Sequence, residues 1–568
     1  MVKAAWAVCL ALVLLLQQQH STAAQDVATA AVQAMNSLMR APLAAREDAM
    51  AQGYIAVEGP RNWGTLANKL ATPGTTIKIV TFGGSVTQGL HTEFPETWAH
   101  EVQRWMQRAF PAVNFELINL ARDATDVTPA ATCWYQLAPV DADLVLIDYS
   151  LGGCGFLQCT GVANELIGQY ELFLRRLISR APGAALMLLE NFYFFQMGTG
   201  TPTNPTLPLP YYQTGGDMHA ALARRYRLPM VSVRDVFYDY MYNQTAMQAE
   251  LGFTKAQIMA DDQHPNAKGH FILGQGILAF GIRRALSSEL TALAAGGRVS
   301  GPSPLPARPV SPKAFEQQDI NGAPAGTFCA EGIDFKDLAT PASVKAGGWE
   351  WRDSSVVAKE CSAKRQRFGR RVNCDKFGYS TFGVGKTLEF TLDTENIPKA
   401  SSYMTRRQLM LFFDRNAAKG FRVGNSYLPP AAWVQCVRGC RCSAFELGGD
   451  QYYSSETAFG TAEVTRSVQC TVRLTIMDKG PDGNNYFKVN GVAVIPLTSS
   501  NKLTGIDYLA IDRDNSFFSK HEDSWRSSVG PKAAAQELSQ AVGGIEVPAD
   551  ADMAAAESYT AVDESAMD

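Results

Sequence analysis

Apolar positions in the first half of the chain form short strand-like runs that alternate with helical patterns. The run Ile77–Phe82 carries one charge, at Lys78, which is typical of a buried strand in a parallel sheet. The other predicted strands are Phe115–Leu120, Asp143–Tyr149, Ala184–Phe195 and Met230–Val233. Helices are predicted at Trp98–Phe110 and Gln169–Ser179. Strands that alternate with helices predict an α/β fold with a doubly wound parallel sheet.

The pattern changes in the second half, where short alternating or aromatic runs are separated by Gly, Asn and Asp turns. Examples are TLEFTLDT, LMLFFD, VQCTVRLTIMD, YFKVNGVAVIPL and IDYLAID. Many short strands predict an antiparallel β-sandwich, which we assign to residues 327–526. Residues 25–295 then form the α/β domain, 296–326 a Pro/Gly-rich linker, and 527–568 a disordered tail rich in Ala, Asp, Glu and Ser.

The N-terminus has the features of a secretory signal peptide. Lys3 precedes the apolar run Ala4–Leu16, and small residues follow as far as Ala24. Thirteen apolar residues are too few to span a bilayer, although a retained signal anchor is the alternative. We therefore assign residues 1–24 to a signal peptide and predict a protein without a membrane span, secreted or held in a cell wall.

Charge and cysteine content narrow the possible partners. A formal net charge of -4 gives no reason to expect a nucleic-acid partner. Of eleven cysteines, ten stay after Cys9 leaves with the signal peptide, and an even number in a secreted protein predicts disulfides. Two sets lie close in sequence: Cys154 with Cys159, and Cys436, Cys440 and Cys442, which Cys361, Cys374 or Cys470 can join. Zinc is the disfavoured alternative for the second set, because that segment has no histidine.

One N-x-S/T sequon is present, Asn243-Gln-Thr. In a secreted chain this sequence predicts N-glycosylation at Asn243.

The candidate chemistry begins directly after the first predicted strand. Gly83 and Gly84 allow a sharp turn, and Ser85 then lies at the carboxyl edge of the sheet, where open α/β folds bind ligands. A plain Gly-Ser turn is the alternative, since Thr87 stands where the G-x-S-x-G elbow has its last glycine.

A second segment, DDQHPNAKGH at Asp261–His270, supplies the partners that a serine nucleophile needs. Asp261 and His264 are three residues apart and face the same way on one turn, so the carboxylate can orient the imidazole that removes the serine proton. Asp262 is the adjacent alternative for the orienting role. We expect His270 to cap or pack against the following helix rather than take part.

These motifs together resemble those of the SGNH (GDSL-like) hydrolases. FGGSVT, Asn119, Cys133 and D-x-x-H-P-N-x-x-G-H match the family in type and spacing, over roughly residues 74–286. The chain is similar in particular to plant, algal and fungal members with a second, β-rich domain. The resemblance implies an SGNH-hydrolase-like fold and ester cleavage by Ser85, His264 and Asp261, without a cofactor.

The resemblance also implies an oxyanion hole of three donors, and here the chain departs from the family. The donors are the Ser85 N–H, a glycine N–H at the position of Ala124, and an asparagine amide at the position of Gly152. Loss of one such donor lowers turnover by about 100- to 1000-fold. Substitute amides are available in Gln158, Asn164 and Asn191, each of which has a structural interpretation as well.

Two hypotheses of different class follow. The first is a secreted carboxylic-ester hydrolase that removes acetyl-like acyl groups from a carbohydrate or small-molecule ester, with acyl transfer to a sugar hydroxyl as a variant. The second is a catalytically reduced binding or cell-surface protein, because of Ala124 and Gly152. The β-rich domain offers two candidate glycan contacts, each with an ordinary interpretation as core or solvated loop: the aromatics Trp349, Trp351, Tyr452 and Tyr453, and the basic run Lys364–Arg371.

Overall fold

The structure is a computed structural model and describes most of the chain between residues 22 and 497. The described residues are 22–38, 46–90, 92, 95–122, 125–150, 162, 164–191, 215–261, 264–315, 317–318, 323–352, 377–400, 402, 404–415, 422–423, 426–427, 431–448, 456–477 and 486–497. The predicted disordered tail, the basic run Lys364–Arg371 and the predicted strand IDYLAID lie outside them, as does most of the predicted signal peptide.

The N-terminal half alternates strands and helices. Its strands are β1 (Tyr54–Ile55), β2 (Thr76–Gly83), β3 (Asn114–Asn119), β4 (Leu144–Asp148), β5 (Ala185–Glu190) and β6 (Met230–Ser232). Its helices are α1 (22–38), α2 (Glu47–Gln52), α3 (Trp63–Leu70), α4 (Ser85–Gln88), α5 (Trp98–Ala109), α6 (Val127–Thr132), α7 (Glu165–Arg180), α8 (Gly215–Tyr226), α9 (Val233–Tyr242), α10 (Gln244–Leu251), α11 (Lys255–Ile258), α12 (Ala267–Phe271) and α13 (Ala279–Ala294). A 3₁₀ turn, Trp134–Leu137, follows α6, and a π-helical stretch, Ile272–Leu278, joins α12 to α13.

The six strands form one sheet in the order β1-β6-β5-β4-β2-β3. Strands β2 to β6 are parallel, and the short edge strand β1 pairs antiparallel with β6. After β2 the chain adds β3 on one side and then crosses to the other side of β2 to form β4. The carboxyl end of β2 therefore lies at the topological switch point, where open α/β sheets bind ligands. This confirms the predicted doubly wound α/β fold.

Each face of this sheet is buried under helices. In β2, Ile77 and Ile79 point into one apolar core, while Val80 and Phe82 point into the other. All four side chains are fully buried. The continuous apolar run in the sequence therefore reflects burial on both faces, as expected for parallel strands.

The C-terminal half is β-rich. After the short helix α14 (Pro312–Phe315), its strands are β7 (Phe328–Glu331), β8 (Glu350–Arg352), β9 (Gly378–Phe382), β10 (Thr387–Leu392), β11 (Arg406–Arg415), β12 (Arg422–Val423), β13 (Ser426–Tyr427), β14 (Ala431–Arg438), β15 (Phe445–Leu447), β16 (Glu456–Val464), β17 (Cys470–Met477) and β18 (Tyr486–Leu497). Helices α15 (Ile333–Leu338) and α16 (Pro341–Ala346) lie between β7 and β8.

Two antiparallel sheets enclose the core of this half. One has the order β10-β17-β14-β15, and the other has the order β16-β11-β18-β9-β8, with β7 also paired to β18. This confirms the predicted antiparallel β-rich domain.

The two halves share apolar surface. In β11, Leu409 and Leu411 point into the sandwich core, whereas Met410 and Phe412 pack in the same cluster as the helices of the α/β half. All four are fully buried, which explains why the run LMLFF does not alternate with polar residues.

Cysteine pairing adds a covalent link between the halves. Among the described residues, disulfides join Cys133 to Cys329, Cys436 to Cys442, and Cys440 to Cys470. The first connects the end of α6 to β7. The sulfurs of Cys436, Cys440 and Cys470 lie within 4.8 Å of one another, but each is used in a disulfide, which leaves no thiolate for zinc.

Residues of the predicted linker contact the α/β half. Glu171 accepts hydrogen bonds from the Val310 and Ser311 N–H groups, at 2.7 and 2.6 Å, and Arg175 donates to the Pro306 carbonyl at 2.8 Å. The domain boundaries themselves stay predictions. Among the described residues, no helix combines the length and apolar character needed to cross a bilayer.

We expect the disulfide between the halves to stabilise the protein more than the short one in the β-rich half. The pairs span 196 and 6 residues, and the chain-entropy model gives about 5 and about 2 kcal/mol for such loops. Guanidinium unfolding of C133A/C329A and of the matched control C436A/C442A measures both losses. A loss in the control at least as large as in C133A/C329A would contradict this expectation.

Candidate active site

Ser85 is placed by the turn that follows β2. Gly83 has no room for a side chain, since an added Cβ would lie 2.6 Å from the Asp148 carbonyl oxygen. Gly84 precedes the single-turn helix α4, which begins at Ser85 and ends at Gln88, and Gly89 follows it with a positive φ of 91°. Gly83 therefore allows the end of β2 to pack closely at the edge of the sheet, and the half-buried Ser85 begins the helix that follows.

His264 lies on a loop that is closed by its own backbone. The Ala260 N–H donates to the His264 carbonyl at 2.8 Å, and the Asn266 N–H donates to the Ile258 carbonyl at 3.0 Å. The Asn266 side chain then caps α12 by accepting from the Gly269 N–H at 3.1 Å. These bonds fix the loop between α11 and α12.

The loop brings Asp261, His264 and Ser85 into contact. Ser85 Oγ and His264 Nε2 are 2.9 Å apart, and His264 Nδ1 is 2.8 Å from Asp261 Oδ2. Asp261 Oδ1 also accepts from the His264 backbone N–H at 2.7 Å. The His264 side chain is 11% exposed and that of Asp261 42% exposed, so the imidazole is shielded while its carboxylate is open to water. Asp262 lies outside the described residues.

A second carboxylate, which the sequence motifs did not indicate, lies beneath this turn. Asp148 ends β4, and its oxygens accept from Thr87 Oγ1 at 2.9 Å and from Ser150 Oγ at 2.7 Å. Thr87 belongs to α4 together with Ser85. Burial raises the pKa of Asp148 to about 6, against its two hydrogen bonds.

Two other histidines are buried in structural contacts. His270 Nδ1 accepts from the Trp98 N–H at 3.1 Å, so it satisfies a donor at the start of α5. His219 stacks on Tyr170 with ring centroids 3.8 Å apart and lies 3.2 Å from Glu190, whose pKa is raised by burial.

The predicted oxyanion positions Ala124 and Gly152 lie outside the described residues, as does Gln158. Arg122 and Thr125 are the nearest described residues before and after Ala124. The Arg122 N–H donates to the Gly83 carbonyl at 3.0 Å, and Thr125 Oγ1 donates to the Arg122 carbonyl at 2.8 Å. Thr125 and Arg122 therefore adjoin the glycines that precede Ser85.

The described asparagines make structural contacts in this region. Asn119 Oδ1 accepts from Thr81 Oγ1 and from the Ala121 N–H, both at 3.0 Å, and its amide donates to the Thr87 carbonyl at 3.1 Å. Asn164 caps α7 by accepting from the Leu166 N–H. Asn191 is buried, and its backbone N–H donates to Ser150 Oγ at 2.9 Å.

Positions outside this region can be placed as well. Trp349 is buried in the sandwich core, so it is unavailable for stacking on a sugar, and Trp351 packs edge-to-face on Tyr379. Tyr452 and Tyr453 lie outside the described residues. Asn243 is exposed and caps α10 through its side-chain oxygen, and its glycosylation stays a prediction.

We expect Asp148→Asn to gain stability relative to wild type as the pH rises. The folded-state pKa of about 6 lies above the ordinary aspartate pKa of 3.8, so ionisation of Asp148 destabilises the folded state progressively from about pH 4 upward. Asparagine has no such ionisation, and the difference in unfolding free energy should shift in its favour by about 2 kcal/mol between about pH 4 and about pH 7. Urea unfolding of both proteins at the two pH values measures this shift. An equal difference at both would show that Asp148 titrates normally.

Comparisons with known proteins place the fold. No family model matches the chain, and no curated protein matches it. Among solved structures, a two-domain esterase active on acetylated mannans is similar at 16% identity, covering 79% of this chain and 99% of its own, with a TM-score of 0.52. The same esterase with mannopentaose gives 16% identity, 75% and 92% coverage and a TM-score of 0.43. A lipase/acylhydrolase from Enterococcus faecalis gives 16% identity, 37% and 96% coverage and a TM-score of 0.24.

The first of these structures matches both halves of the chain. The narrower resemblance to plant, algal and fungal members gains no support from the comparisons. The chain has the SGNH-hydrolase fold with an additional β-rich domain.

Proposed function

We propose that this protein is a secreted serine ester hydrolase that removes acetyl-like groups from carbohydrate, with Ser85 as nucleophile, His264 as general base and acid, and Asp261 as the residue that orients His264. The observation that carries the proposal is the continuous hydrogen-bonded path from Ser85 Oγ through His264 to Asp261. Both contacts lie within the range in which a base can take a proton from a nucleophile.

In the first step, Ser85 Oγ attacks the ester carbonyl carbon while His264 Nε2 takes the serine proton. The C–O bond to the alcohol then breaks, and His264 returns the proton to the leaving alkoxide. The product is an acyl-serine and a free sugar hydroxyl. Asp261 accepts a hydrogen bond from the Nδ1–H and stabilises the imidazolium in both proton transfers.

In the second step, water attacks the acyl-serine. His264 takes a proton from this water, and the C–O bond to Ser85 breaks as the proton returns to Ser85 Oγ. Free carboxylic acid leaves and the enzyme is restored. A sugar hydroxyl in place of water would give the acyl-transfer variant of the same chemistry.

The negative charge on the carbonyl oxygen requires N–H donors near Ser85. The Ser85 N–H is one, and the Ala124 N–H is the second that the family resemblance implies. Gly152 has no side-chain amide, so we expect turnover about 100- to 1000-fold below that of an enzyme with all three donors. This same residue favours the alternative of a catalytically reduced binding protein.

The carbohydrate substrate is inferred from the similar two-domain esterase, which is active on acetylated mannans and whose length is matched almost completely. Secretion is inferred from the three disulfides among the described residues, because such bonds persist in oxidising compartments.

We expect a fluorophosphonate probe to label the wild-type protein and not Ser85→Ala. The probe forms a covalent bond only with a serine hydroxyl that a neighbouring base activates, and Ser85→Ala removes that hydroxyl while leaving the half-buried turn intact. Intact-protein mass spectrometry measures the added mass. Absence of labelling in folded wild type at neutral pH would instead favour the binding-protein alternative.

Asp261→Asn should lower kcat for ester hydrolysis by up to about 10⁴-fold, because an amide facing Nδ1 favours the wrong tautomer of His264. Asp262→Asn is the matched control, since it removes the neighbouring carboxylate from the same loop, and it should retain activity. Hydrolysis of 4-nitrophenyl acetate measures both. If Asp262→Asn loses activity and Asp261→Asn keeps it, the orienting role belongs to Asp262.

A further inference from the structure

A carboxylate of the β-rich half reaches the turn beside Ser85. Glu331 is the last residue of β7, and its Oε2 accepts from Trp134 Nε1 at 2.6 Å and from Arg122 Nη1 at 3.2 Å. The side chains of Arg122 and Glu331 are 27% and 14% exposed, so water screens this ion pair only in part. The Arg122 guanidinium also lies over the Trp134 ring, 4.4 Å from its centroid.

Arg122 connects this contact to the nucleophile. Its backbone N–H donates to the Gly83 carbonyl, two residues before Ser85, and its carbonyl accepts from Thr125 Oγ1. The Thr125 carbonyl oxygen lies 3.9 Å from the position of a Cβ on Gly84. The side chain of Arg122 is thus held by Glu331 and its backbone by Gly83.

The position of Glu331 is itself fixed by several contacts. Cys329, two residues earlier, is bonded to Cys133, next to Trp134. Glu331 also pairs with Gly491 of β18, and a Cβ there would lie 2.8 Å from Glu331 Cγ. A glycine at position 491 therefore lets β7 and its carboxylate approach this closely.

From these contacts we propose that Glu331 is a positioning residue for ester cleavage: it holds the Arg122 side chain and thereby keeps the backbone of Arg122 and Thr125 against Gly83 and Gly84. The proposal rests on the function proposed above. A displacement of about 1 Å in catalytic geometry is enough to lower turnover by about 100-fold, so a side chain of the second domain can set the rate without touching substrate.

The test compares kcat and KM for 4-nitrophenyl acetate in the full chain. Glu331→Ala and Arg122→Ala should each lower kcat by roughly 10- to 100-fold, with KM changed by less than about threefold, because they displace reacting groups and not the binding surface. The double variant should lose no more than the worse single variant, since both changes remove the same contact. Glu331→Gln keeps an acceptor for Trp134 but loses the charge that pairs with Arg122, and it should show a smaller loss of kcat.

Gln136→Ala is the matched control. Gln136 donates to the Thr327 carbonyl at 3.2 Å, so it joins the same two halves without contacting Arg122. The melting temperature of the Gln136→Ala variant should fall, while its kcat should stay within about twofold of wild type. An equal loss of kcat in Gln136→Ala would show that the effect comes from general loosening of the contact between the halves, and it would overturn the proposal. An unchanged kcat in Glu331→Ala would also overturn it, and so would additive losses in the double variant. Wild type that fails to hydrolyse the ester would instead overturn the proposed function itself.

Discussion

The hydrogen bond between Ser85 Oγ and His264 Nε2 joins parts of the chain that are 179 residues apart. A contact of 2.9 Å between two short side chains requires both backbones to be held within fractions of an ångström. The turn that carries Ser85 is held by close packing, because there is no room for a side chain at position 83, between β2 and β4. On the His264 side, backbone hydrogen bonds close the loop from Ile258 to Asn266.

The surroundings of Ser85 contain more ionisable groups than the histidine and aspartate of the proposed triad. Asp148 lies under α4, where burial raises its pKa, and it is hydrogen-bonded to Thr87 on the same turn as Ser85. On the other side of the turn, Arg122 is held by Glu331 of the β-rich half. Strand β11 buries apolar side chains against both halves, so the second domain is part of the structure that supports the turn.

Much of the α/β half was predictable because its strands are short apolar runs, most of them within one or two residues of the observed bounds. Strand β5 differs, because it ends at Glu190 whereas the predicted run continued to Phe195. Ser85, Asp261 and His264 were identifiable because each occupies a recognisable local motif. The edge strand β1 was not predicted, since two residues carry too little periodicity. The pairing of Cys133 with Cys329 and the contact of Arg122 with Glu331 were not predictable either. Both join residues about 200 positions apart, and neither leaves a local pattern in the sequence.

A crystal structure of the protein after reaction with a fluorophosphonate tests the central claim most directly. The account predicts phosphorus bonded to Ser85 Oγ, with His264 Nε2 beside that oxygen and Asp261 still bonded to Nδ1. An adduct on another residue, or an unmodified Ser85 with its hydroxyl beyond hydrogen-bond reach of His264, would contradict it.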